Sequence, residues 1–484
     1  MITIIGLGPG DPELLTRKAW RLLTEATEVW LRTARHPGIE ALPGADQAGK
    51  YQRFDEWYDQ AENFDTLYER IAAEVVRLGA RPIGVVYAVP GHPLMGETTV
   101  THILAGAKSA GLSVTIVDGL SFLEPTLSAL GVDAMRGLQV QDALDVATLH
   151  HPQINPDHPA LLGQLYSPAI ASDVKLTLAN QYPDDHPVIL VHGAGTPDQT
   201  LESVALYEID RSPHISHLTS LYVTPLVNAG SFQRFQETIA HLRAPEGCPW
   251  DQKQTHLSLR KYLLEETYEV LAALDAEDPI ALKEELGDLL LQIVLHSQIA
   301  VDEGEFYMSD VLEYVNSKMI RRHPHVWGTV QVDGEEQVKV NWEALKAKEK
   351  ADRGMVEAPK SMLESVPKAL PALLLADSYS SRAARVGFDW PDADSTLAKI
   401  FEEIEEVKTA PDDAARRAEM GDVLFSVANW ARKYGIDPEE ALRETCLKWA
   451  RRFQFVEERG GYQLNNHTLD QLEKWWAEAK ATGL

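Results

Sequence analysis

Hydrophobic positions follow two regimes along the chain. Up to about residue 226, short apolar runs alternate with stretches of helical period. The runs Ile2–Ile5, Ile83–Ala88 and Ser113–Val117 predict strands, and Glu13–Thr24, Thr66–Leu78 and Thr98–Ala110 predict helices. Such alternation predicts an α/β layer with a largely parallel sheet. A second strand-rich stretch spans Leu161–Leu226, with strands expected at Ala169–Ser172, Val188–His192 and Leu221–Thr224. Between the two stretches, the Pro- and His-bearing segment 150–159 reads as a loop. From about Gln233 the period becomes 3.6 throughout. Leu257–Ala273, Ile280–Val301 and Met308–Arg322 predict one helical group, and Leu397–Val407, Ala414–Lys433 and Pro438–Glu458 a second. The resulting fold class is multidomain: a two-lobed α/β half, then all-α bundles. Expected boundaries are 1–225 (lobes about 1–120 and 121–225), 233–346, a charged linker 347–367, and 368–484.

The two helical groups form an internal repeat. Glu265, Glu266 and Glu269 precede Glu285 and Asp288, while Glu402, Glu403 and Glu406 precede Glu419 and Asp422. The offsets, 403 − 266 = 137 and 419 − 285 = 134, differ only by a shorter connecting loop. Trp250-Asp251 and Asp389-Trp390 lie ahead of the acids, and Lys318, Arg321, Arg322 and Lys448, Arg451, Arg452 lie behind. Residues three apart share a helix face, so each E-x-x-E/E-x-x-D set aims about four carboxylates into one inter-helix gap. Crowded anions repel and raise one another's pKa unless a cation sits among them. A hard divalent ion, Mg²⁺ above all where a phosphate completes its shell, suits such oxygens. Leu286, Leu289, Leu290, Ile293 and Val294 form a stripe bordered by Glu285 and Asp288, and Met420, Val423, Leu424 and Val427 repeat it. The acids are therefore expected at the rim of a bundle core. The competing reading, a solvated acidic face paired to Lys261 or Lys399, suits one isolated run better than two matched ones.

Composition narrows the partners. Apolar content of 44% and charged content of 24% are ordinary for a globular protein, and 45 − 73 gives a net charge of −28. That balance argues against a nucleic-acid polymer or an anionic membrane as partner, since each requires a basic face. Two cysteines, Cys248 and Cys446, exclude a disulfide framework. The opening Met-Ile-Thr-Ile-Ile-Gly has no basic n-region, and no apolar run approaches membrane-span length, so a cytoplasmic location is expected.

Gly-Cys-Pro-Trp-Asp-Gln-Lys-Gln-Thr-His stands at 247–256, Arg-Arg-His-Pro-His-Val-Trp-Gly at 321–328, Val-Gly-Phe-Asp-Trp at 386–390 and Lys-Trp-Ala-Arg-Arg-Phe at 448–453. With these motifs, residues from Gln233 onward resemble the MazG family of nucleoside triphosphate pyrophosphohydrolases in its double-domain form. The resemblance implies Mg²⁺ ligation by Glu266, Glu269, Glu285 and Asp288, and by Glu403, Glu406, Glu419 and Asp422. It implies cleavage of a (d)NTP to (d)NMP and pyrophosphate by water attack at the α-phosphorus, and a homodimer. Glu265 or Glu402 is then the expected general base. Lys318, Arg321, Arg322, Lys448, Arg451 and Arg452 are expected on the phosphates, and Trp250 or Trp390 on the base. The fuller basic helix inclines the expectation toward repeat two as the more active copy.

Gly-Leu-Gly-Pro-Gly-Asp-Pro at 6–12 follows a strand and precedes a helix, a turn that lets backbone N–H groups approach a ligand. With Glu-Leu-Leu-Thr after it, and Tyr-Ala-Val-Pro-Gly-His-Pro-Leu-Met-Gly at 87–96, it resembles the tetrapyrrole (corrin/porphyrin) methylase family. The resemblance spans 1 to about 225 and implies S-adenosylmethionine between two lobes, near Gly8, Pro9, Gly10, Pro90, Gly91 and His92. Pro90-Gly91-His92-Pro93 replaces that family's Gly-Asp-Pro, which weighs against a tetrapyrrole acceptor. Two other readings compete with the hydrolase. One is an S-adenosylmethionine-dependent methyltransferase regulated by nucleotide-sensing repeats, and the other is a scaffold with degenerate sites.

Overall fold

The computed structural model describes residues 1–61, 63–228, 230–352 and 361–483. It divides into two compact units, Met1–Val315 and Asn316–Leu484. Residues 353–360 of the expected linker lie outside the described residues.

The first unit opens with five strands: β1 (Ile2–Gly6), β2 (Val29–Leu31), β3 (Tyr51–Arg53), β4 (Val85–Val89) and β5 (Val114–Val117). They pair in the order β3-β2-β4-β1-β5, every pair parallel. A parallel sheet is covered on both faces, which is why β1 and β4 read as continuous apolar runs. Ile2, Ile4, Val85, Tyr87 and Val89 enter the core beneath helices Phe64–Gly79 and Thr98–Ser109. Ile5, Leu7 and Ala88 pack on the other face with Ala19 and Leu23 of helix Arg17–Glu25. That helix starts later than its hydrophobic period suggests, because Thr16 caps it by accepting from Ala19 N at 3.2 Å.

The second lobe holds β6 (Gln139–Asp142), β7 (Ala160–Gly163), β8 (Pro187–His192), β9 (Thr200–Ala205) and β10 (Thr219–Val223), ordered β6-β7-β10-β8-β9. Only the β6–β7 pair is parallel. The strand expected at Ala169–Ser172 is instead inside helix Pro168–Leu178. Ser167 caps that helix and Pro168 begins it, a start signal that outweighs a short apolar run. The strand in this region is β7, whose four residues are all buried.

Helix Arg260–Asp275 packs against helix Pro279–Glu303, with Asp278 capping the second by accepting from Ile280 N and Ala281 N. In the second unit, helix Ala393–Thr409 packs likewise on helix Asp413–Lys433, each capped by an Asp, Asp392 and Asp412. The apolar stripes are less covered than a bundle core requires. Leu286, Leu290 and Ile293 are exposed while Val294 is buried, and Met420, Leu424 and Val427 are exposed. Gly287 and Gly421 face open space, so neither marks a close approach within the described chain.

Candidate functional site

In repeat one, the i,i+3 spacing puts Glu266 and Glu269 on one face of their helix, and the neighbouring helix brings Glu285 to them. One carboxylate oxygen from each of the three lies within 4.8 Å of the others. Repeat two reproduces this with Glu403, Glu406 and Glu419. Asp288 stays outside the close triple but adds to its field. Burial, then Asp288 and Glu269, raise the Glu266 carboxyl above its ordinary value. Burial, then Glu269, do the same for Glu285. Glu406 is raised by burial and by Glu403. These are anions held together against their own repulsion, as oxygen ligands for a divalent ion must be. Asp422 lies outside the second triple.

The repeats differ in their cations. Lys399 Nζ reaches Glu402 and Glu403, both at 2.8 Å, and the two acids hold its ammonium well above the usual lysine range. Repeat one has Tyr262 at the matching position (399 − 137 = 262), and Lys261 lies over its ring at 4.3 Å. The sequence reading passed over Glu284, which adds to the charge around Glu285; the doubled Glu284-Glu285 was its signal.

The flanking residues vary in their engagement. Trp250 is exposed and meets Tyr262 edge-on at 6.1 Å, so it is not a core residue. Trp390 is half-buried, and its carbonyl accepts from Lys433. Arg321 and Arg322 both bond Glu349, at 2.8 and 2.7 Å, and hold its carboxyl down to about 2. Lys448 and Arg451 are exposed on helix Pro438–Arg459. Glu265 and Glu402 are exposed beside their clusters.

In the α/β half, the two glycine loops are joined. Gly8 N donates to Gly91 O (3.2 Å) and Gly91 N to Gly8 O (2.8 Å). Gly8 and Gly91 both have left-handed φ, 74° and 64°, which a side chain would strain. Pro9 and Gly10 continue the first loop, and Gly10 abuts Pro37 and Thr196. Pro90 and His92 flank Gly91, and His92 Nδ1 accepts from Leu94 N at 3.1 Å. Gly119 lies against this junction, where an added Cβ would meet Gly91 O at 2.4 Å and Gly6 O at 2.8 Å. Backbone cannot yield there. Gly119→Ala is expected to cost about 2 kcal/mol in a denaturant melt, as over-packing does.

A buried ion pair escaped the sequence reading. Arg32 Nε stands 3.0 Å from Glu97 Oε1, ringed by Tyr58, Tyr68 and Tyr87. No periodicity announces it, because it joins the end of β2 to a helix 65 residues on (97 − 32 = 65).

Comparison with known proteins places these features. The family model for tetrapyrrole (corrin/porphyrin) methylases matches residues 1–210. That for the MazG nucleotide pyrophosphohydrolase domain matches 254–327 and 392–456. An uncharacterized protein of Bacillus subtilis (strain 168), YabN, is 42% identical over 99% of this chain and 98% of its own length. The nucleoside triphosphate pyrophosphohydrolase/pyrophosphatase MazG of Thermotoga maritima is 41% identical over 51% of this chain and 95% of its own. Among solved structures, a Thermus thermophilus uroporphyrin-III-C-methyltransferase covers 46% of the chain and 94% of its own at 24% identity. The TM-score between the two is 0.37.

Proposed function

Because this chain belongs to the family in which a tetrapyrrole methylase domain is followed by two MazG domains, we propose that it is a Mg²⁺-dependent nucleoside triphosphate pyrophosphohydrolase. The observation that carries the reading is the pair of carboxylate triples, repeated on matching helices. Glu266, Glu269 and Glu285, with Asp288 beside them, would hold Mg²⁺ in repeat one; Glu403, Glu406 and Glu419, with Asp422, would do so in repeat two. When bound, the ion offsets the carboxylate charge and that of the triphosphate. The chain's residues orient the reactants. Glu265 would accept the proton of a water whose oxygen attacks the α-phosphorus, while the bond to the β-phosphoryl oxygen breaks and pyrophosphate leaves. Glu402 must first release Lys399 to act likewise. Exposed Lys448 and Arg451, with Lys318, Arg321, Arg322 and Arg452, would meet phosphate oxygens, and Trp250 would offer a face to the base.

The exposed stripes Leu286/Leu290/Ile293 and Met420/Leu424/Val427 support a homodimer in which a second copy covers them. The backbone cradle at Gly8, Gly10 and Gly91 supports S-adenosylmethionine binding in the α/β half, and calorimetry with that ligand tests it.

The assay for the main reading is product identity. The chain is incubated with each (d)NTP and Mg²⁺, and pyrophosphate, not orthophosphate, is expected. Protonation supplies an independent check. Carboxyls raised above the ordinary 4.5 favour the folded state at low pH, and that contribution is lost as pH rises through their folded values. Mg²⁺ competes with those protons. Its stabilisation of the fold should therefore be small at pH 5 and grow toward pH 8 in a thermal melt; equal shifts at both pH values would count against these ligands. No described helix is long and apolar enough to cross a membrane.

A further inference from the structure

We infer that repeat one carries a second, separate metal site, in which His256, Glu303 and Glu305 take a first-row transition ion such as Zn²⁺. One ligand atom from each of the three lies within 4.8 Å of the others. Glu303 ends helix Pro279–Glu303 and Glu305 lies two residues on. A Schellman turn fixes both, with Gly304 at φ 74°, Gly304 N donating to Val301 O (3.1 Å) and Glu305 N to Ala300 O (2.8 Å). Carbonyls at a helix C-terminus also favour a cation.

The histidine comes from the turn that leads into helix Arg260–Asp275. Leu259 anchors that turn in a small core with Val294, Leu295 and Ile299. Arg243 straps the preceding residues to the same helix, bonding Asp302 at 2.6 Å and the carbonyl of Asp251 at 2.6 Å. Asp302 is thereby occupied, and the two glutamates face His256.

The His256 ring stacks on His296 at 5.1 Å, with an Nδ1–Nδ1 contact of 2.8 Å. Such a contact holds one proton, so one ring donates and the other accepts. With His256 as donor, its Nε2 lone pair points at the carboxylates, which repels unless a cation stands between. The other ring nitrogen of a metal-bound histidine is characteristically tied down in this way. His256 Nε2 lies 3.8 Å from Glu305 Oε2, too long for a hydrogen bond. Ligand atoms sharing one ion at bonds of about 2.1 Å stand at roughly that separation. A mixed nitrogen and carboxylate set suits zinc better than magnesium, which favours oxygen alone.

The full chain is titrated with Zn²⁺ in excess Mg²⁺, and with Co²⁺ under visible absorption, in a Glu285→Ala/Glu419→Ala background. One Zn²⁺ per chain, Co²⁺ ligand-field bands and a raised melting temperature are expected. All should be lost in His256→Ala. They should also be lost in Glu303→Gln/Glu305→Gln, which alters only exposed side chains and leaves the histidine stack intact. Unchanged uptake in the Gln variant, or no uptake beside Mg²⁺, overturns the site. Neither result bears on pyrophosphate release, which is measured separately in the otherwise unaltered chain.

Discussion

Glu285→Ala combined with Glu419→Ala is expected to abolish pyrophosphate release from (d)NTPs while leaving the fold intact. Each substitution removes one member of a triple whose ligand atoms lie within 4.8 Å. Disturbing even the groups behind a metal's ligands costs 10- to 100-fold, so deleting a ligand at both sites should cost at least about 100-fold. Neither glutamate supports the core. Both are partly accessible, and Glu285 has like charges around it, so its loss relieves repulsion and the apo variant should melt no lower than the parent. The single variants divide the activity between the repeats. In repeat two, Lys399 already holds Glu403 at 2.8 Å, and a metal there competes with an ammonium; repeat one has no such competitor at Tyr262. Full turnover in the double variant would remove the metal assignment altogether.

Much of the carboxylate grouping is legible in the sequence, and the reason is geometric. A three-residue spacing on a helix fixes which side chains share a face, so Glu266 with Glu269 follows from the chain alone. Their meeting with Glu285 needs only a short connection between antiparallel neighbours. The glycine loops were likewise marked by residue type, though the Gly8–Gly91 pairing that joins them is a contact across 83 residues (91 − 8 = 83). What stayed hidden depends on long-range partners. Arg321 and Arg322 look like phosphate ligands in sequence and are found bonding Glu349, whose helix gives no hint of it. The Leu286 stripe reads as core, yet within the chain it is exposed, because periodicity reports an apolar face and not what covers it. Ala169–Ser172 failed for a local reason: a Ser-Pro helix start overrides four residues of apolar character.

Replacing Glu97 by Ala should destabilise the α/β half by about 3 kcal/mol, since removing one member of a buried pair leaves Arg32 without its acceptor whether that acceptor is charged or neutral. Arg32 would lose its 3.0 Å partner and be left among tyrosine hydroxyls, Tyr58 at 3.3 Å and Tyr68, and Thr99 Oγ1 would lose its acceptor. A deficit of that size is a large part of a domain's stability and corresponds to a fall of about 6–12 °C in melting temperature. The pH dependence separates charge from packing. Burial outweighs the attraction of Arg32 and pushes the Glu97 carboxyl up to about 7 from 4.5. Stability tied to that proton is complete below about 4.5 and is lost as pH rises through about 7. Glu97→Gln keeps the shape and an acceptor for Thr99 but cannot titrate. Between pH 5 and pH 8 the wild type should therefore lose stability relative to the Gln variant, while Ala stays below Gln at both ends. Parallel curves for wild type and Gln would mean that Glu97 ionises normally, and that Arg32 holds it as an ordinary ion pair despite the burial.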